Sequence, residues 1–115
     1  MKNLVSTTAA LLLFAGAVQA HTHLEKAMPE DNSVIKAAPK EIMLHFSAAT
    51  RLTALSIQKE GDKEQPQQLL PTAAAKMITV PVAPLTPGKY VVNWRVVGED
   101  NHVMSGKLHF TVSAP

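Results

Sequence analysis

The sequence predicts an all-β domain, a small β-sandwich or Greek-key barrel. Apolar and polar residues alternate in several short windows, and turn-forming residues separate these windows at short intervals. Few windows show the 3.6-residue period of a helix, and those that do, such as Thr72 to Lys76, are short. The first strand is Glu41 to Phe46, which puts Ile42, Leu44 and Phe46 on one face and His45 on the other. A weaker second strand covers Leu52 to Ile57. The third, Met77 to Val82, is β-branched, with Pro81 marking an edge or an end. Tyr90 to Val97 is the clearest: Tyr90, Val92, Trp94 and Val96 share one face, and Val91, Asn93, Arg95 and Val97 the other. Before it, Thr86-Pro87-Gly88-Lys89 suits a type II turn, with proline second and glycine third. A last strand from Lys107 to Val112 turns Leu108, Phe110 and Val112 inward and His109 outward. Turns fall at Ala37-Ala38-Pro39, Gly61-Asp62 and Pro84 to Gly88, and no internal repeat or long linker interrupts the series.

A length of 115 residues leaves room for one domain. Apolar residues at 46% and charged residues at 17% describe a globular chain rather than a disordered one. The formal net charge is +2, and the bases are scattered, with Arg51 and Arg95 the only arginines. A phosphate-backbone binder clusters such residues on one face, so nucleic acid is not an expected partner. Cysteine is absent, which excludes disulfides, thiolate metal sites and cysteine nucleophiles.

The first twenty residues read as a secretory signal. Lys2 supplies the positive start, and Leu4 to Val18 is almost wholly apolar, centred on Leu11-Leu12-Leu13-Phe14. Val18-Gln19-Ala20 then forms a small-residue cleavage site. The run is too short and alanine-rich for a strong membrane span; an uncleaved anchor is the competing reading. The expected organisation is a signal over 1–20 and an exported domain over 21–115, beginning at His21. All five histidines (His21, His23, His45, His102 and His109) remain in that domain.

Cleavage after Ala20 would give His21 a free α-amine, which with its own imidazole Nδ1 can chelate one metal ion. Such an amine has an ordinary pKa of about 7.7–8.0, so a metal displaces its proton near neutral pH. His23, third in the processed chain, opens a second mode, because Thr22 is not proline. The amine, two deprotonated backbone amides and the His23 imidazole can enclose Cu(II) or Ni(II) in a square plane. Both modes suit tetragonal nitrogen coordination, which favours Cu(II). Asp100-Asn101-His102 forms a second constellation between the two best strands, framed as a loop by Gly98 and Gly106. Residues two apart in an extended segment point to one side, so Asp100 can ligate directly or orient a ligand beside His102. Against these readings, a histidine in a polar loop is ordinarily a solvated surface residue, and Asp-Asn-His is also plain turn chemistry. His45 and His109, on the polar faces of their strands, are expected at the surface.

In order and spacing, these segments resemble the CopC/PcoC-type periplasmic copper-resistance proteins, including their YobA-like members. The resemblance runs from His21-Thr22-His23-Leu24 through the Pro29-Glu30-Asp31-Asn32 turn and Ala37 to Ser47. It continues along Pro84 to Val97, Asp100-Asn101-His102 and Ser105-Gly106, nearly the whole of the processed chain. It implies a seven-stranded Greek-key β-sandwich or barrel of cupredoxin- or immunoglobulin-like form. It also implies a Cu(II) site made by His21 (amine and imidazole), His23, Asp100 and His102, with His102 equatorial and Asp100 axial or orienting. Two departures stand out. Ala48 replaces a glutamate that many relatives carry after the Phe-Ser of the early strand. Gly61 to Ala75 holds no methionine, whereas other relatives have a methionine-rich loop for Cu(I). Thioethers select Cu(I), so with Met28, Met43, Met77 and Met104 read as packing or surface residues the chain resembles a Cu(II)-only member.

The resulting expectation is a monomeric periplasmic copper-binding protein, not an enzyme, active in copper homeostasis or resistance and passing copper to a CopD-type inner-membrane transporter. Two alternatives compete with it. An N-terminal-histidine copper mono-oxygenase would need an aromatic-rich surface for its polymer substrate, and the processed chain offers few aromatics, with Trp94 alternating into the core. A structural β-sandwich with incidental histidines would bind no copper tightly.

Overall fold

The computed structural model describes residues 22–69 and 73–114. The expected signal segment and cleavage point after Ala20, together with His21 and the start of the Thr72 to Lys76 window, lie outside the described residues. Seven strands follow one another: β1 (Leu24–Met28), β2 (Ser33–Ile35), β3 (Glu41–Lys59), β4 (Gln65–Pro66), β5 (Ala75–Pro81), β6 (Gly88–Gly98) and β7 (Val103–Val112). The pairing path runs β1-β3-β6-β7-β2, with β4 and β5 also on β3. All pairs are antiparallel except β2 with β7. Since β1 and β2 end the path yet are joined by a short turn, the sheet must curl until its ends nearly meet. That closure yields the barrel-like Greek key expected of the chain.

The expected strands Glu41 to Phe46 and Leu52 to Ile57 are one strand of 19 residues. Its first half pairs with β1 and β5 and its second with β6 and β4; Thr50 is the hand-over, opposite both Ala75 and Gly98. The reading as two strands has a physical cause. Leu52 and Ala54 face consecutive residues of β6, Val96 and Arg95, leaving Thr53 as the extra residue of a β-bulge. A one-residue insertion flips every later side chain to the other face. Ile42, Leu44 and Phe46 point inward before it, and Leu55 and Ile57 after it.

The inward sets expected of β6 and β7 hold: Tyr90, Val92, Trp94 and Val96 are buried, as are Leu108, Phe110 and Val112. Phe46 meets Trp94 edge-on at 5.3 Å between centroids, and Tyr90 stacks on Phe110 at 5.4 Å. β5 pairs only with β3 and stops at Pro81, the edge position that proline indicated. Two expectations need correcting. Residues 86–89 form no type II turn, because Gly88 already pairs with Val112 at φ 152° rather than about +80°. A Cβ on Gly88 would meet the Lys59 side chain, whose Nζ donates to Thr86 Oγ1 at 2.8 Å. Gly106 is not a loop boundary either: β7 starts at Val103, and Gly106 lies opposite Trp94, whose indole occupies the space a Cβ would need.

Candidate metal centre

The β6–β7 connection is confined to residues 99–102, and its backbone closes tightly. The Asn101 N–H donates to the Gly98 carbonyl at 2.9 Å, and the Gly98 N–H to the His102 carbonyl at 2.9 Å. Asn101 takes the left-handed conformation, φ 68°, which asparagine tolerates better than most residues. This fold-back delivers the Asp100 carboxylate to His102 twice. Oδ1 accepts the His102 backbone N–H at 3.2 Å, and Oδ2 lies 2.7 Å from Nδ1 of the ring. The His102 backbone N–H, above all, draws the Asp100 carboxyl below its ordinary pKa; desolvation, next in size, opposes it, and the ring's hydrogen bond and charge add to the lowering. With Nδ1 taken by the carboxylate, Nε2 is the ring nitrogen left for a ligand. Both side chains remain largely exposed, 79% for His102 and 64% for Asp100.

His23 is anchored from β3. Its backbone N–H donates to Ser47 Oγ at 3.0 Å, and its carbonyl accepts the Ser47 N–H at 2.9 Å. Its ring is exposed, with Nε2 3.9 Å from Glu25 Oε2. Ser47 lies three residues from Thr50, the partner of Gly98, so one stretch of β3 holds both the amino-terminal segment and the root of the β6–β7 loop. The two lie close together: a Cβ on Gly98 would stand 4.0 Å from Thr22 Oγ1 and 3.1 Å from Asp100 Oδ1. The structure thus joins Asp100 to His102 and brings the segment bearing His23 to the same end of the molecule. His21, the fourth expected ligand, lies outside the described residues. Among the described residues no three His, Asp or Glu side chains form a ready-made metal cluster.

Ser47 and Gly98 were not singled out from the sequence as site residues, since their roles depend on strand pairing across long stretches of chain. A second carboxylate–histidine pair was also missed. Asp31 Oδ1 accepts the His109 backbone N–H at 2.7 Å and lies 3.2 Å from its Nδ1, linking the β1–β2 turn to β7. His109 is exposed as expected, and His45 is half-buried.

The CopC domain family model matches residues 24–113. The chain is 34% identical over 105 residues to protein YobA of Escherichia coli K12, covering 87% of this chain and 85% of that one. It is 31% identical over 109 residues to copper resistance protein C of Escherichia coli, with 85% and 86% covered. The crystal structure of CopC from Methylosinus trichosporium OB3b superposes with a TM-score of 0.66 at 28% identity, covering 82% of this chain and 95% of that one.

Proposed function

The chain belongs to the CopC domain family, and from that premise we propose that it is an exported copper carrier binding one Cu(II) at its processed amino terminus. Copper is the cargo. The donors are the His21 amine and imidazole, the His102 Nε2 and the His23 imidazole. Asp100, bonded to Nδ1 of His102, fixes that ring's orientation and tautomer. Imidazole nitrogens on a tetragonal ion suit Cu(II) ahead of the other divalent first-row metals.

One observation carries this reading: Thr22 lies near Gly98, its Oγ1 4.0 Å from where a Cβ would stand, at the root of the loop that presents Asp100 and His102. A site closed across both segments needs that proximity. The amide-wrapped alternative needs the His23 backbone N–H deprotonated and bound to metal, whereas that N–H donates to Ser47 Oγ at 3.0 Å. The arrangement therefore supports the closed site. Burial of Tyr90, Trp94, Phe46 and Phe110 supports a carrier over a polysaccharide oxidase, because no described aromatic is left for an exposed platform. Among the described residues no helix is long and apolar enough to cross a membrane. We place the carrier in the periplasm as a monomer that passes copper to a CopD-type membrane partner.

The test is a Cu(II) titration of protein beginning at His21, read by electron paramagnetic resonance, beside the same protein with one extra amino-terminal residue. One tight, tetragonal, nitrogen-rich site that the extension abolishes or reshapes is the expected outcome. Weak binding indifferent to the extension would overturn the proposal.

A further inference from the structure

We propose that Thr50 is a positioning residue of the copper site: through one ordered water seated over Gly98, its buried hydroxyl holds the Asp100 carboxylate and so fixes the ring of His102. This role rests on the copper site proposed above, whereas the water and its partners belong equally to the metal-free protein.

Strand parity gathers three side-chain oxygens at one end of the barrel. Thr50 of β3 is directly opposite Gly98 of β6, and directly opposed residues share a face. That face is the inner one, since Thr50 and Phe46 on β3 and Val96 on β6 are all fully buried. Around the place that a Gly98 Cβ would take stand Asp100 Oδ1 at 3.1 Å and Thr22 Oγ1 at 4.0 Å. Thr22 arrives there by alternation, because the exposed His23 separates it from Leu24, which packs against the core. Opposed Cβ atoms in a ladder lie about 4.5–5.5 Å apart, so the Thr50 hydroxyl borders the same hollow from the side of β3.

Thr50 Oγ1 is the group that calls for a ligand there. It is buried and has no hydrogen-bond partner among the described residues. A hydroxyl taken out of water without a partner is destabilising, and buried polar groups in native folds are ordinarily bonded to protein or to ordered water. Asp100 Oδ1 accepts the His102 backbone N–H at 3.2 Å and keeps a second lone pair. Two threonine hydroxyls and this carboxylate oxygen supply the two to four polar partners that a buried water needs, and the missing Cβ of Gly98 leaves it room. The water then secures Oδ1 while Oδ2 lies 2.7 Å from His102 Nδ1. Asp100 and His102 are 64% and 79% exposed, too open for packing to orient them. A carboxylate tethered at both oxygens passes its orientation to the ring that binds the metal.

The test compares Thr50→Val, which keeps the shape and loses the hydroxyl, with Thr50→Ser, which keeps the hydroxyl, in protein beginning at His21. In the metal-free wild type, magnetic resonance should show a slowly exchanging Thr50 hydroxyl proton beside a long-lived water. Thr50→Val should move the His102 ring nitrogens towards the values of a free imidazole, and Thr50→Ser should hold them at the wild-type values. Cu(II) affinity should fall about two- to tenfold in Thr50→Val and recover in Thr50→Ser. Gly98→Ala, whose Cβ occupies the water's place, should also weaken binding, and adding Thr50→Val to it should cost nothing more. Unmoved His102 nitrogens in Thr50→Val, or losses that add in the double variant, would overturn the proposal while wild-type copper binding stood. Wild-type protein that bound no Cu(II) would instead overturn the copper reading, and with it the role of Thr50 there.

Discussion

Asp31 and Asp100 solve the same local problem. Each stands two residues before, or folds back onto, a histidine whose backbone N–H and Nδ1 it takes together. Hydrogen bonds to an ionised carboxylate favour the charged form, so both acids are held below their ordinary pKa of 3.8. For Asp31 the His109 backbone N–H is the largest cause; desolvation, next in size, opposes it, and the His109 ring and charge add to the lowering. The sign of the linkage follows. A carboxyl with a depressed folded pKa contributes stability that is fully present above its unfolded value and lost as pH falls through the folded one. Thermal melts of the wild type and Asp31→Asn should therefore differ at about pH 6 and converge as pH falls below the ordinary carboxylate range. A constant difference across that range would show that the charge on Asp31 does not hold the β1–β2 turn to β7.

At the scale of elements, the bulge at Thr53 decides which residues of β3 reach the core. Leu55 and Ile57 are 2% and 4% exposed, and their partners before the bulge are fixed by pairing with β1 and β5. Deleting Thr53 would remove the bulge and leave Leu52 to Ile57 in regular alternation, with Leu55 and Ile57 still facing inward opposite Trp94 and Val92. Turning both side chains outward would cost about 1.5–3 kcal/mol each, a large share of the stability of a small domain, about 5–15 kcal/mol. Chemical denaturation should therefore show the deletion variant losing well under about 3 kcal/mol, and a loss of that size or more would mean that Thr53 is not the extra residue of β3. The same bulge marks the limit of what periodicity could show. Ile42 to Phe46, Tyr90 to Val96 and Leu108 to Val112 were legible because each keeps one parity throughout. β1 and β2 were not, being short and half-exposed, with partners supplied by distant segments. Gly106 reads as a loop residue locally, but Trp94 across the ladder makes it a packing position.

At the scale of the whole molecule, the proposed copper site depends on two distant segments of the chain meeting across β3. Asp100 and His102 were legible as a unit because they are two residues apart. The approach of the segment bearing Thr22 and His23 to their loop was not, because Ser47, Thr50 and Gly98 mediate it through strand pairing. Ser47 separates the two copper-binding modes by sign. In the closed mode, its hydroxyl holds the His23 backbone in place, and Ser47→Ala removes a hydrogen bond worth about 0.5–1.5 kcal/mol. Cu(II) affinity should then fall by roughly two- to tenfold. In the amide-wrapped mode, the metal must displace that same hydrogen bond, so its loss should leave affinity unchanged or raise it. Paired titrations of Ser47→Ala and His102→Ala, both beginning at His21, read the answer. Weakening in both marks a site that the fold assembles; weakening in neither marks one formed by the first three residues alone, to which the barrel contributes only a platform.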